Sequence, residues 1–179
     1  MGDLSGSSSL SGGRATAPGR ALDGLAVVLA WVPLFVLGTI VHESFHAAAV
    51  WLLGSHPVLV LRPWAFALFP VTITGVHVQA VPGLTATGQF IDNFAGPALA
   101  AIVFGLLALK LPEGAVRRAA IATVLGLVFY ALVEPADVVL DGRLELGFLT
   151  APEFNYGLPL LLAVAVAARS SLGARPRSR

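Results

Sequence analysis

Cysteine is absent from the 179-residue chain. Disulfides are therefore excluded, as is any metal site built on thiolate, and a bound metal has to rest on His, Asp or Glu. Charge is scarce too. Asp, Glu, Lys and Arg together make up 12% of residues, about half of what a soluble domain carries. Lysine occurs once, as Lys110, and the formal net charge is +1, so there is no basic field for a nucleic-acid partner. Apolar side chains stand where charge is missing, at 56% of residues and a mean hydropathy of +0.84. A chain so composed takes the lipid bilayer as its solvent. The preference for arginine over lysine, with abundant Ala and Gly, points to a GC-rich bacterial genome. The expected location is a cell membrane, the bacterial inner or plasma membrane.

Residues 1–20 are rich in Gly, Ser and Ala without apolar periodicity and read as a disordered tail. They lack the layout of a cleaved signal peptide, so the chain is expected to be retained whole. Residues 21–170 read as one membrane-embedded domain, followed by a basic tail, 171–179. The first apolar segment runs from Ala21 to Leu53, longer than the roughly 20 residues a span needs, and Pro33 inside it predicts a kink. Further apolar segments cover about Gln89 to Leu111, Ala115 to Leu140 and Tyr156 to Ala168, the last being the shortest. The expected fold class is all-α and polytopic, with about four transmembrane helices.

Between the first two helices the pattern changes. Val58 to Leu61 and Val71 to Val78 are β-branched and partly alternating, while Pro57, Pro63, Pro70 and Pro82 exclude a continuous helix. This stretch, Gly54 to Gly88, predicts a β-hairpin or re-entrant segment at the membrane surface. Arg14, Arg20, Lys110, Arg117, Arg118, Arg169, Arg175, Arg177 and Arg179 fall on one side of the four-helix topology. Only Arg62 and Arg143 fall on the other. By the positive-inside rule both termini are cytoplasmic and the hairpin region lies outside.

Inside the first apolar segment lies His42-Glu43-Ser44-Phe45-His46, an H-E-x-x-H sequence. Residues four apart stand one turn above each other on a helix face. Two imidazoles so placed suit one Zn²⁺, and the intervening glutamate suits a general base. With roughly 2% His and 6% Glu, a chain of this length would match by chance well under about one time in a hundred. Ionisable groups at membrane depth are also costly enough to be functional candidates. A third ligand is needed. Asp92 and Asn93, at the start of the second helix, and Glu134 to Asp141, at the end of the third, converge on the same membrane face.

Over roughly Ala21 to Gly142 the chain resembles the site-2-protease-type (M50-like) intramembrane zinc metalloproteases. The resemblance rests on His42 to His46, on Ala95-Gly96-Pro97, on Leu140-Asp141-Gly142 and on the β-prone segment between helices. It implies His42, His46 and Asp141 as zinc ligands, Glu43 as base and Asn93 as a substrate or oxyanion contact. Asp137, one turn before Asp141, is the alternative third ligand. Where that family carries Asn-Pro ahead of Leu-Asp-Gly, this chain has Glu134-Pro135. The expected activity is hydrolysis of peptide bonds in or near transmembrane segments of a membrane-protein substrate, the β-prone segment receiving an unwound stretch as an added strand. The alternatives are a non-proteolytic zinc-binding or transport protein, and a polar cluster that only fixes helix packing. His56 and His77 read as surface or interfacial residues.

Overall fold

The computed structural model describes residues 17–65, 72–140 and 152–172. Among them are four helices and one two-stranded antiparallel sheet, in the order α1 (Ala17–Leu52), β1 (His56–Ala65), β2 (Thr72–Val81), α2 (Ala86–Lys110), α3 (Ala115–Leu140) and α4 (Pro152–Leu172). Helix α1 begins at Ala17, within the stretch expected as tail, with Pro18 in the first turn, where proline's missing N–H costs nothing. Its 36 residues are about 54 Å long at 1.5 Å each. Three helices are long and apolar enough to cross a membrane: α1, α2 and α3. Helix α4 completes the four helices expected, and among the described residues its apolar part covers Gly157–Arg169.

Helix α1 is two-faced. Leu22, Leu25, Leu29, Val32, Val36 and Ile40 are exposed along one stripe, as suits a helix whose outer face meets lipid. The opposite stripe of Val27, Trp31, Gly38, His42 and His46 is buried. Its first part is apolar and its last part carries the two histidines.

Packing relies on small residues. Val27 and Trp31 of α1 cluster with Ala119 and Ala122 of α3 and Ala163 and Ala167 of α4. Closer to the histidines, Ala100, Ala101 and Phe104 of α2 pack with Leu127 of α3, with Val41 and Phe45 of α1 alongside. Between helices in lipid, association rests on close van der Waals fit more than on expelled water, and small side chains permit that fit. At Gly38 an added Cβ would lie 3.1 Å from Thr123 Cγ2, so its absence sets how near α1 comes to α3.

Helix α1 ends in a defined cap. Gly54 has φ +83°, the left-handed region that favours glycine. Ser55 N–H donates to Val50 O at 3.1 Å and Gly54 N–H to Trp51 O at 3.1 Å, the paired bonds of a Schellman motif. The chain therefore turns sharply off the helix and enters β1 beside the His42–His46 turn. Strand β1 pairs with β2 from His56↔Val81 to Ala65↔Thr72. Thr85 then caps α2, its side chain accepting the Gly88 N–H at 3.2 Å, and a four-residue turn joins α2 to α3.

Candidate metal centre

His42 and His46 project from consecutive turns of α1, and both are buried. Their Nε2 atoms lie 2.8 Å apart. Glu134 of α3 places Oε2 at 3.6 Å from His42 Nε2 and 3.4 Å from His46 Nε2. Among the described residues, these three form the one His/Asp/Glu group with a metal-sized spacing. An ion held tetrahedrally by bonds of about 2.1 Å keeps its ligand atoms about 3.4 Å apart. The triangle of 2.8, 3.4 and 3.6 Å brackets that value. In chemistry, too, the donor set fits a divalent ion of the zinc type.

The proton inventory points the same way. Asp92 Oδ1 lies 2.9 Å from His46 Nδ1. A carboxylate only accepts, so the imidazole proton sits on Nδ1, and in the neutral ring Nε2 presents its lone pair. That lone pair faces a second imidazole nitrogen and a carboxylate oxygen. Such a convergence of acceptors has to be bridged by a proton or a cation.

Helix α2 supplies none of the three donor atoms and holds two of the groups that do. Asp92 orients the His46 ring. Asn93 Nδ2 donates to the backbone oxygen of Glu134 at 3.1 Å and ties α3 to α2 at the height of the site. One turn further on, Gly96 lies against the same imidazole. A Cβ there would stand 2.4 Å from His46 Nε2, 2.5 Å from Cδ2 and 2.7 Å from Cε1. Three such similar distances put that carbon over the ring face, not along the lone pair. Gly96 thus lets α2 lie flat on the imidazole while the ligand direction stays open.

Tyr130, one turn before Glu134 on α3, stacks beside His42 with ring centroids 6.3 Å apart at 29°. Glu43 is half-buried, and its Oε2 accepts the backbone N–H of Val78 in β2 at 2.9 Å. The sheet is thereby tied directly to the motif.

Of the residues singled out in the sequence, the structure brings together His42, Glu43 and His46, with Asn93 one hydrogen bond away through Glu134. Asp137 is exposed and outside the group, and Asp141 lies outside the described residues. His56 is exposed at the start of β1, and His77 is half-buried on β2; neither belongs to the group. Sequence reasoning placed Glu134 and Asp92 near the site without giving either a role. The available signal was cost: of Glu134 and Asp137 in α3, Glu134 is set one turn deeper into the apolar helix, where an ionised group needs a partner more. A scan against protein-family models and searches of curated proteins and of solved structures find no match for this chain.

Proposed function

We propose that this protein is a zinc metalloendopeptidase of the site-2-protease type, acting in a bacterial inner or plasma membrane on peptide bonds in or near the transmembrane segments of other membrane proteins. The observation that carries the reading is the convergence of His42, His46 and Glu134 with Glu43 beside them. Two histidines and a glutamate, with an H-E-x-x-H glutamate as base, are a ligand set used by zinc peptidases. Glu134 takes the place that the family resemblance gave to Asp141 or Asp137.

A zinc ion bound there would supply Lewis-acid polarisation of the scissile carbonyl and would acidify the attacking water. The chain's own residues do the rest. Asp92 and Gly96 hold the His46 ring in one tautomer and one plane. Asn93 fixes the backbone that carries Glu134. Glu43 accepts the proton of the attacking water and delivers it to the leaving nitrogen. A substrate helix has to unwind first, since its carbonyls are already paired within the helix, and β2 offers an edge on which the unwound segment can pair. On this reading α4 completes the bundle, and the sheet is the re-entrant element at the membrane surface.

The test uses the full chain in mild detergent. Wild-type protein should hold about one zinc and cleave a quenched-fluorescent apolar peptide. His46→Ala and Glu134→Gln should lose the metal, whereas Asp137→Ala should keep it. Glu43→Gln should keep zinc and lose about 10²–10⁴-fold in kcat, the usual worth of a general base. Zinc retained without any Glu43-dependent cleavage would turn the reading to metal binding or transport. A wild-type protein without metal under zinc-replete conditions would leave only a packing role for the cluster.

A further inference from the structure

The bond from Val78 N–H to Glu43 fixes the phase of the whole sheet. In an antiparallel pair, residues alternate between those bonded to the partner strand and those whose N–H and C=O point away from it. Val78 points away from β1, so Leu59↔Val78 is a non-hydrogen-bonded pair. Val76 and Ala80 share its outward edge. By the same alternation Pro57, Leu59, Leu61 and Pro63 point outward from β1.

That assignment has an independent check. Proline has no N–H and is tolerated in a sheet where that N–H would have faced outward. Both prolines of β1 fall at such positions. They also close the outer edge of β1 to any added strand. Strand β2 has no proline from Thr72 to Val81, and among the described residues it pairs only with β1. The sheet therefore has one closed edge and one open edge, and the open edge faces the glutamate of the His42–His46 motif.

We propose that Val78 is a positioning residue whose backbone N–H is exchanged during substrate entry. In the resting protein it holds the Glu43 carboxylate. When an extended peptide segment pairs on β2, a substrate carbonyl accepts the Val78 N–H and Glu43 Oε2 is released to meet water. Strand pairing and delivery of the base are then one event, and a peptide that cannot pair as a strand meets a base that is still engaged. This inference rests on the peptide-hydrolase reading above. Its specificity consequence is selection for substrates that are unwound next to the cleavage point.

The probe is acetohydroxamate, a small zinc ligand that cannot form a strand and whose acidic proton Glu43 would accept. Zinc-loaded Val78→Pro, full chain in detergent, should bind it roughly tenfold tighter than wild type, the worth of one charge-assisted hydrogen bond no longer in competition. The same variant should cleave the apolar peptide with a raised KM. Val76→Pro alters the same edge without touching Glu43. It should raise KM alike and leave acetohydroxamate affinity where it was. Equal or weaker acetohydroxamate binding by zinc-replete Val78→Pro overturns the exchange, even if wild type cleaves peptide.

Should Val78→Pro lose its zinc, the bond can be read in wild type by selective ¹⁵N-valine labelling. Acetohydroxamate should then move the Val78 amide resonance, and an unmoved resonance overturns the exchange. A wild-type protein that neither holds zinc nor cleaves peptide overturns the hydrolase reading and the exchange with it.

Discussion

Gly96 illustrates how a residue without a side chain can govern a candidate metal site. Any Cβ there would have to displace the His46 imidazole or push α2 away from α1. Gly96→Ala is expected to lower zinc affinity by at least tenfold while the protein stays helical, as read by metal titration beside circular dichroism. Asp92→Asn tests the other hold on that ring. An amide can donate to Nδ1 and so no longer enforces the tautomer, and loss of such a partner costs about 10–100-fold in metal affinity. How much of the site could be read from the sequence follows from the same geometry. The helical period alone places His42 and His46 on one face, so that pair and its glutamate were legible. The third member of the group was not, because Glu134, Asp137 and Asp141 follow one another closely in sequence and no spacing rule says which of them α2 pins beside the histidines. The resemblance implies Asn93 as a substrate or oxyanion contact, and in the structure its amide donates to the Glu134 backbone. Gly96 enters the sequence reading only within Ala95-Gly96-Pro97, and its place against the His46 ring follows from the packing of α2 on α1.

At the scale of elements, the two anchors of the site differ in kind. The Schellman turn at Gly54 is local: it ends α1 about two turns after His46 and aims β1. Gly54→Val has to hold a β-branched residue in the left-handed region, at a cost of about 1–2 kcal/mol. A lowered midpoint of thermal unfolding would show it. The Gly38–Thr123 contact is tertiary, and Gly38→Leu should be worse, with overpacking costs of about 1–3 kcal/mol at a helix crossing that cannot open without moving Glu134 away from the histidines. Its signature is a joint loss of stability and zinc, whereas Gly54→Val should lose stability first. The elements themselves were largely legible. Apolar runs gave α1, α2 and α3 to within a few residues, and β-branched alternation gave the hairpin. The two places of disagreement have physical causes. Thr85 caps α2 three residues ahead of its expected start, and Pro18 lets α1 begin inside the Gly/Ser-rich stretch.

For the molecule as a whole, the absence of cysteine becomes an experimental convenience, since any introduced thiol is the sole one. Gly83, between β2 and α2, and Glu113, between α2 and α3, are both exposed. By the distribution of basic residues a membrane-impermeant maleimide should label Gly83→Cys on intact cells and leave Glu113→Cys unlabelled. The reverse would turn the site towards the cytosol. Metal and stability should be linked. Zinc at a hundredfold excess over its Kd would add about 2.7 kcal/mol, so a chelator should lower the unfolding temperature by about 5–10 °C. Acid should act in the same direction, because zinc needs neutral imidazoles and protons compete with the metal for them. The depth of the histidines carries a last consequence, for the fate of what is cut. His46 stands about 9 Å and His42 about 15 Å along α1 from its end at Leu52, where exposed Trp51 suits the lipid headgroup region. On the proposed peptidase reading, a substrate opened at that level would be divided unequally. One fragment would keep about 9–15 Å of apolar span, too little to cross a hydrocarbon core about 30 Å thick, and would be free to depart on that side. The other would keep the longer part of its anchor and stay behind.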